Sequence, residues 1–170
     1  MTIESNETAH ESLIKDVVML AARILLESGA EGTRVEDTMT RIARKLGYSE
    51  SNSFVTNTVI QFTLHNESYQ RLYRIKSRDT NLIKISQANE ISRQITNGTI
   101  DLEEAKKKLE HIYIAKRDSS LPFKGIAAAI IAMSFLYLQG GRLIDVITAI
   151  LAGSFGYLVV EILDLSLIHI

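Results

Sequence analysis

Residues 25–47 read LLESGAEGTRVEDTMTRIARKLG. The stretch spells the end of one helix, a glycine-hinged corner and a complete second helix. Gly29 falls where a helix would stop, because glycine takes the left-handed position beyond a helix end without a Cβ clash. Past Gly32, the run Thr33-Arg34-Val35-Glu36 has the spacing of a capping box. In that motif the Thr33 hydroxyl accepts from the Glu36 amide, and the Glu36 carboxylate reaches back to the Thr33 amide. Val35, Met39, Ile42 and Leu46 then recur at helical spacing, and Gly47 supplies the next stop, so a helix is predicted over roughly Arg34–Leu46.

Upstream, Leu13, Val17, Leu20, Ala21, Ile24 and Leu25 form an apolar stripe on a first helix from about Glu11 to Ser28, and residues 1–10 read as a disordered lead-in. Downstream the period changes to two. Ile60, Phe62 and Leu64 alternate with Val59, Gln61 and Thr63, and a further strand is expected over Tyr69–Lys76, with Tyr69, Tyr73 and Ile75 on one face. With a hairpin loop at 65–68, residues 53–76 read as a small antiparallel meander, too few strands to stand uncovered by helices. Helical spacing returns after Thr80-Asn81, with Leu82, Ile85, Ala88, Ile91 and Ile95 on the apolar face and Gly98 at the end. Asp101 to Glu104 opens another helix, its acidic first turn favoured by the macrodipole, with Lys106, Lys107 and Lys108 along the exposed side.

The charge distribution divides the chain. Of 39 charged side chains, only five (Lys124, Arg142, Asp145, Glu161 and Asp164) lie beyond residue 122. Residues 119–122, ending in the single proline Pro122, read as a linker between a domain at 11–118 and an apolar region at 123–164. Neither uncharged run there reaches the 18 or so residues of a comfortable spanning helix. With Lys124 and Asp145 admitted near the ends, each becomes span-length, and two transmembrane helices are expected. Gly and Ala at 125, 127–129, 152, 153 and 156 would let such helices approach closely. Lys116, Arg117 and Lys124 assign the start of the first span to the cytoplasmic side. The polar, acidic N-terminus has neither the basic nor the apolar region of a secretory signal, which agrees.

Function classes are narrowed by what is missing. A net charge of −1 gives no pull toward nucleic acid, and the basic run Arg71, Arg74, Lys76 and Arg78 reads as a solvated strand face rather than a nucleic-acid interface. There is no cysteine, and histidines 10, 65, 111 and 169 have no ligand spacing, so neither a metal nor another cofactor is expected. No nucleophile elbow or phosphate-cradling loop occurs, which argues against an enzyme. Glu36 is tempting as a functional carboxylate, although the capping box already explains it. Asp145 has two readings: a cavity-facing carboxylate in an apolar segment, beside the Gly140-Gly141 break, or a helix-start residue near the membrane surface.

The corner motif resembles the opening of the threonine/serine exporter family of membrane transport proteins. Residues 71–109, RLYRIKSRDTNLIKISQANEISRQITNGTIDLEEAKKKL, resemble its central segment, and residues 140–153, GGRLIDVITAILAG, are similar to its loop and second span. The resemblance implies a subunit or fragment of an inner-membrane exporter of threonine, serine or small dicarboxylates. Its N-terminal domain would lie in the cytoplasm, and its partners would be a second membrane subunit or a missing C-terminal half. Gly29, Arg34, Glu36, Gly140, Gly141 and Asp145 are the candidate substrate or structural positions. The family continues through more spans than the two expected here, and residues 165–170 read as a non-native tail on a truncated frame. The expected fold is α+β, helices on a small antiparallel sheet followed by two transmembrane helices. A membrane-tethered hydrolase-like domain and a soluble interaction module with a buried helical hairpin are the rival readings.

Overall fold

A computed structural model describes residues 2–65, 69–115, 121–142 and 145–167. The chain divides into two compact units, residues 1–115 and 116–170.

In the first unit, α1 (Thr2–Glu27), α2 (Gly32–Lys45), α3 (Leu82–Asn97) and α4 (Leu102–Ile114) accompany three strands, β1 (Asn52–Val55), β2 (Val59–Thr63) and β3 (Arg71–Arg74). The strands form one antiparallel sheet in the order β1-β2-β3, with Phe54 opposite Gln61 and Gln61 opposite Leu72. Helix α1 is the centre: it touches α2, α3, α4, β2 and β3. Because neighbours surround it, its buried face is wider than a stripe. Ile14, Val18, Ala22 and Leu26 are buried beside Val17, Ala21, Ile24 and Leu25, while the expected Leu13 and Leu20 are only partly covered. The helix also begins at Thr2, so most of the stretch read as a lead-in is helical; no glycine or proline interrupts the sequence before Glu27.

The alternation in β2 holds: Ile60 and Phe62, with Leu64 beyond the strand end, are fully buried, and Val59, Gln61 and Thr63 are half-buried. On β3 the inward set is Arg71 and Tyr73, continued by Ile75 beyond the strand, and Tyr69 lies outside the strand, 92 % exposed. In the expected hairpin loop, 66–68 fall outside the described residues.

Local caps explain where the later helices begin. Asn81 Oδ1 accepts from the Lys84 amide at 3.1 Å, and Asp101 Oδ1 accepts from the Glu104 amide at 2.7 Å. Lys84 then reaches across to α4, donating to the Tyr113 carbonyl at 2.8 Å. Arg23 on α1 stacks against both Tyr73 and Tyr113, its guanidinium carbon 4.2 and 4.3 Å from the ring centroids.

The capping box does not form. The N-cap of α2 is Glu31, two residues earlier than expected, and it makes no side-chain cap bond. Glu36 is drawn elsewhere: its Oε1 accepts from the Val55 amide at 2.7 Å. Strand β1 is an edge strand, so one row of its amides has no strand partner, and a carboxylate on the facing helix supplies an acceptor. Gly32 permits that closeness, since a Cβ there would lie 3.2 Å from the Val55 carbonyl oxygen.

In the second unit, α5 (Leu121–Leu138) and α6 (Asp145–Leu167) pack on each other as a hairpin. Pro122, expected in a linker, sits in the first turn of α5, where its missing N–H leaves no helical bond unmade; Ser119 and Ser120 lie outside the described residues. Of the segment read as a non-native tail, 165–167 continue α6 and 168–170 are outside the described residues. Gly153 is the tight point of the hairpin, where a Cβ would meet the Ala132 Cβ at 2.7 Å. Gly125 and Gly156 meet nothing within 4 Å. Among the described residues, no helix is long and apolar enough to cross a membrane. The 18 residues of α5 rise only about 27 Å against a hydrocarbon core of roughly 30 Å.

These contacts rank three substitutions in the first unit. Glu36→Ala strips the Val55 amide of its charged acceptor and should cost about 1–2 kcal/mol. Glu36→Gln keeps an acceptor oxygen and should cost less, while Thr33→Ala, at an exposed site with no cap bond, should stay within about 0.5 kcal/mol. Denaturant midpoints of the three variants check the order, and a Thr33→Ala loss above that of Glu36→Ala would restore the capping box.

Candidate functional site

The corner at the end of α1 is built by closing off a buried helix. The Gly29 amide donates to the Leu26 carbonyl and the Ala30 amide to the Leu25 carbonyl, with Gly29 at φ 93°. The remaining carbonyls are met from far along the chain. Arg78 donates to the carbonyls of Leu26 and Ala30 at 3.1 Å each and to Asn57 Oδ1 at 2.6 Å. The Asp79 amide reaches the Glu27 carbonyl at 2.8 Å, and the Asn81 amide reaches the Ser28 carbonyl at 3.0 Å. Arg78 was legible only as part of a basic run; nothing local in the sequence ties it to a helix end some fifty residues upstream.

Beside this corner, α1, α2 and α3 enclose an open cleft of about 610 Å³. Leu25 and Val35 lie at its base, Leu82 and Ile85 form the α3 wall, and Glu31, Thr33, Arg34, Asp37, Arg41 and Asn89 supply polar groups. Arg41 pairs with Asp37 at 3.1 Å. Arg34 is exposed, and its guanidinium has no partner among the described residues.

The structure places the candidate residues in three locations. Gly29 and Arg34 line the cleft, whereas Glu36 leaves it for β1. Gly140, Gly141 and Asp145 lie in the second unit. Gly140, at φ 72°, closes α5 with Gly141: their amides donate to the Tyr137 and Leu136 carbonyls. A Cβ at Gly141 would run into the Leu136 side chain. Asp145 opens α6, and its Oδ2 accepts from the Arg142 amide at 3.2 Å. An apolar hollow of about 470 Å³ lies by this turn, lined by Met133, Ser134, Leu136, Tyr137, Leu138, Gly141 and Val146.

The densest charge cluster of the first unit is a cross-brace. Asp16 on α1 takes Lys106 from α4 at 2.9 Å and also pairs with Arg71 of β3, which bonds Ser12 at 2.8 Å. Lys106 and Arg71 therefore do not belong to solvated faces. Burial pushes the Asp16 carboxyl up, but the bonds and charges of Lys106 and Arg71 outweigh it and hold it below its ordinary value. The Asp16 bond likewise raises the Lys106 ammonium. Among the described residues, no group of three or more His, Asp or Glu could hold a metal ion.

The model of a family described as "Putative threonine/serine exporter" matches residues 16–169, nearly the whole chain. The chain belongs to this family. No curated protein and no solved structure matches it. The match runs through the α1–α2 corner, the sheet, α3, α4 and the hairpin, so both units belong to the family's shared region.

The cross-brace carries a pH signature. A carboxyl whose folded value is depressed contributes stability above its unfolded value, 3.8 for Asp16, and loses it as pH falls through the lowered folded one. Lys106, raised when folded, contributes fully below 10.5 and loses its share as pH climbs through the raised value. Asp16→Asn should therefore lower stability at neutral pH and flatten the fall below about pH 4. Thermal melts from pH 2 to 7 check it; a fall as steep as the parent's would mean that other carboxylates carry the acid sensitivity.

Proposed function

We propose that the chain is a component of an inner-membrane exporter of threonine, serine or small carboxylates. The first unit stands in the cytoplasm and α5–α6 are seated in lipid. The observation that carries the membrane part is the surface of the second unit. Its helices meet over small residues, Gly153 against Ala128 and Ala132, and turn large apolar side chains outward. Phe123, Ile131, Phe135 and Leu138 on α5, and Ile147, Leu151, Phe155 and Ile162 on α6, are all more than half exposed. A surface of that kind needs an apolar covering. Small residues at the helix contact and large ones outside match association in lipid. The hydroxyls agree: Ser134 and Thr148 donate to carbonyls of their own helices, at 2.8 and 2.7 Å, and ask nothing of water.

Family membership supports transport rather than catalysis as the role, and the proposed partners of such a hairpin are lipid and further spans from a second subunit or a longer chain. The shortness of α5 favours one other reading, a hairpin covered by another protein. Of the two readings of Asp145, its bond to the Arg142 amide supports the helix start.

Two measurements test this. The full chain should sediment with membranes and resist carbonate extraction; a monomer stable in plain buffer would sink the lipid-seated hairpin. In an exporting family member carrying this segment, Asp145→Asn should leave threonine efflux unchanged at matched abundance, since Asn keeps an oxygen for the Arg142 amide. A sharp drop would place Asp145 on the transport path.

A further inference from the structure

The first turn of α3 and the last turn of α4 leave large apolar side chains in the open. The Lys84 ammonium donates to the Tyr113 carbonyl at 2.8 Å and so holds the two turns side by side. At this end Leu82, Ile83 and Ile114 are each 70 % exposed or more, while Ala88, Ile91, Leu109 and Ile112 of the same helices are buried. Singly such residues are ordinary, but three on adjoining turns make a patch that calls for a covering. Two further observations say which covering. The segment 116–120, which leads from α4 to α5, spans about 20 Å at most when fully extended. With α5 in lipid, chain length alone tethers the end of α4 near the headgroups. The charges agree: residues 76–84 and 110–118 carry Lys76, Arg78, Lys84, Lys116 and Arg117 against Asp79, Glu110 and Asp118, in a chain of net charge −1. Arg78 and Lys84 bond to carbonyls, which leaves their charges uncompensated.

We propose that this end of the first unit docks on an anionic lipid surface, with Ile83 and Ile114 in the headgroup layer; the proposal rests on the lipid-seated hairpin above. Aliphatic side chains beside lysine and arginine suit such a surface. The apolar groups reach the boundary between headgroups and acyl chains, and the cations meet the lipid phosphates. A second copy of the chain meeting this patch through the same surface would bring two basic ends together, which disfavours it as the occupant. The far end of α3 offers neither feature. Asn97 there is polar and exposed, and the helix puts it about 22 Å from Leu82.

The chain has no cysteine, so a single introduced thiol reports one position. Ile83→Cys, Ile114→Cys, Asn97→Cys and Phe135→Cys, each in the full chain and carrying a fluorophore, are reconstituted in nanodiscs of phosphatidylglycerol or of phosphatidylcholine. Lipid bearing a quencher just below the headgroup is then added. All four positions are exposed, so the melts should match the parent's. The labels at 83 and 114 should be quenched in phosphatidylglycerol and lose most of that quenching in phosphatidylcholine. The label at 135 should be quenched in both lipids and the label at 97 in neither. Adding Ile114→Glu to the chain labelled at 83 should remove most of its quenching. Labels at 83 and 114 no more quenched than that at 97 would overturn the docking, and equal quenching in the two lipids would overturn the anionic surface. Labels shielded from a water-soluble quencher yet untouched by the lipid quencher would mean a protein covering and overturn it too. Quenching at 135 alone removes the docking and keeps the lipid-seated hairpin; no quenching at 135 sinks both.

Discussion

A helix that ends inside a protein must find donor partners for its last carbonyls, and the end of α1 makes this demand at the centre of the first unit. Desolvating an unpaired carbonyl is costly, so each needs a donor. The Gly29 turn supplies two, the Asp79 and Asn81 amides supply two more, and Arg78 adds its guanidinium to the Leu26 and Ala30 carbonyls. The last three residues sit in the segment joining β3 to α3. Satisfying α1 thus fixes where the sheet must deliver the chain and where α3 begins, with Asn81 serving both as a donor to Ser28 and as the α3 cap. A cation at the negative end of the helix dipole adds an electrostatic reason for Arg78 in particular.

The same corner sets the pose of α2. Once the chain has turned at Gly29, α2 must lie against the unpaired edge of β1, and two residues make that possible: Gly32 by having no side chain, Glu36 by accepting the Val55 amide. The docking has a consequence for the helix start. With the Glu36 carboxylate drawn to the strand, the N-cap of α2 falls at Glu31, two residues before Thr33, and the helix carries no side-chain cap.

Patterns with a local physical cause were legible in the sequence. The β2 alternation, the Asn81 cap, the acidic opening of α4 at Asp101 and the glycine stops all depend on residues within a few positions of each other. Long-range competition was not legible. Thr33 to Glu36 satisfies the capping-box pattern, but the pattern cannot register that an amide nineteen positions away needs the same carboxylate. Arg71, Arg78 and Lys106 looked like solvent-facing charges, and each is instead held by a group at least fifty residues away. The width of the buried face of α1 was underestimated for a related reason: periodicity gives one apolar stripe, whereas a helix in contact with five other elements buries more than one. At the site, Gly29 and Arg34 share the cleft, but its α3 wall, Leu82, Ile85 and Asn89, could be assigned to it only once the fold was known.

The distant donors set the end of α1 apart, because α2, α3 and α5 all close locally through glycine turns at Gly47, Gly98 and Gly140. At the end of α5 the carbonyls of Phe135, Leu136 and Tyr137 are met by the amides of Gln139, Gly141 and Gly140, all from the next few residues. The start of α6 is equally self-contained, with Asp145 and Arg142 exchanging bonds through carboxylate, amide and carbonyl. Nothing like Arg78 is recruited from a distance among the described residues. At the α5–α6 contact Gly153 lies against Ala128 and Ala132, and small residues there let the two backbones approach closely. In the first unit, where water drives apolar burial, the large side chains fill the core instead, and polar groups from across the sequence are free to tie the helix ends together.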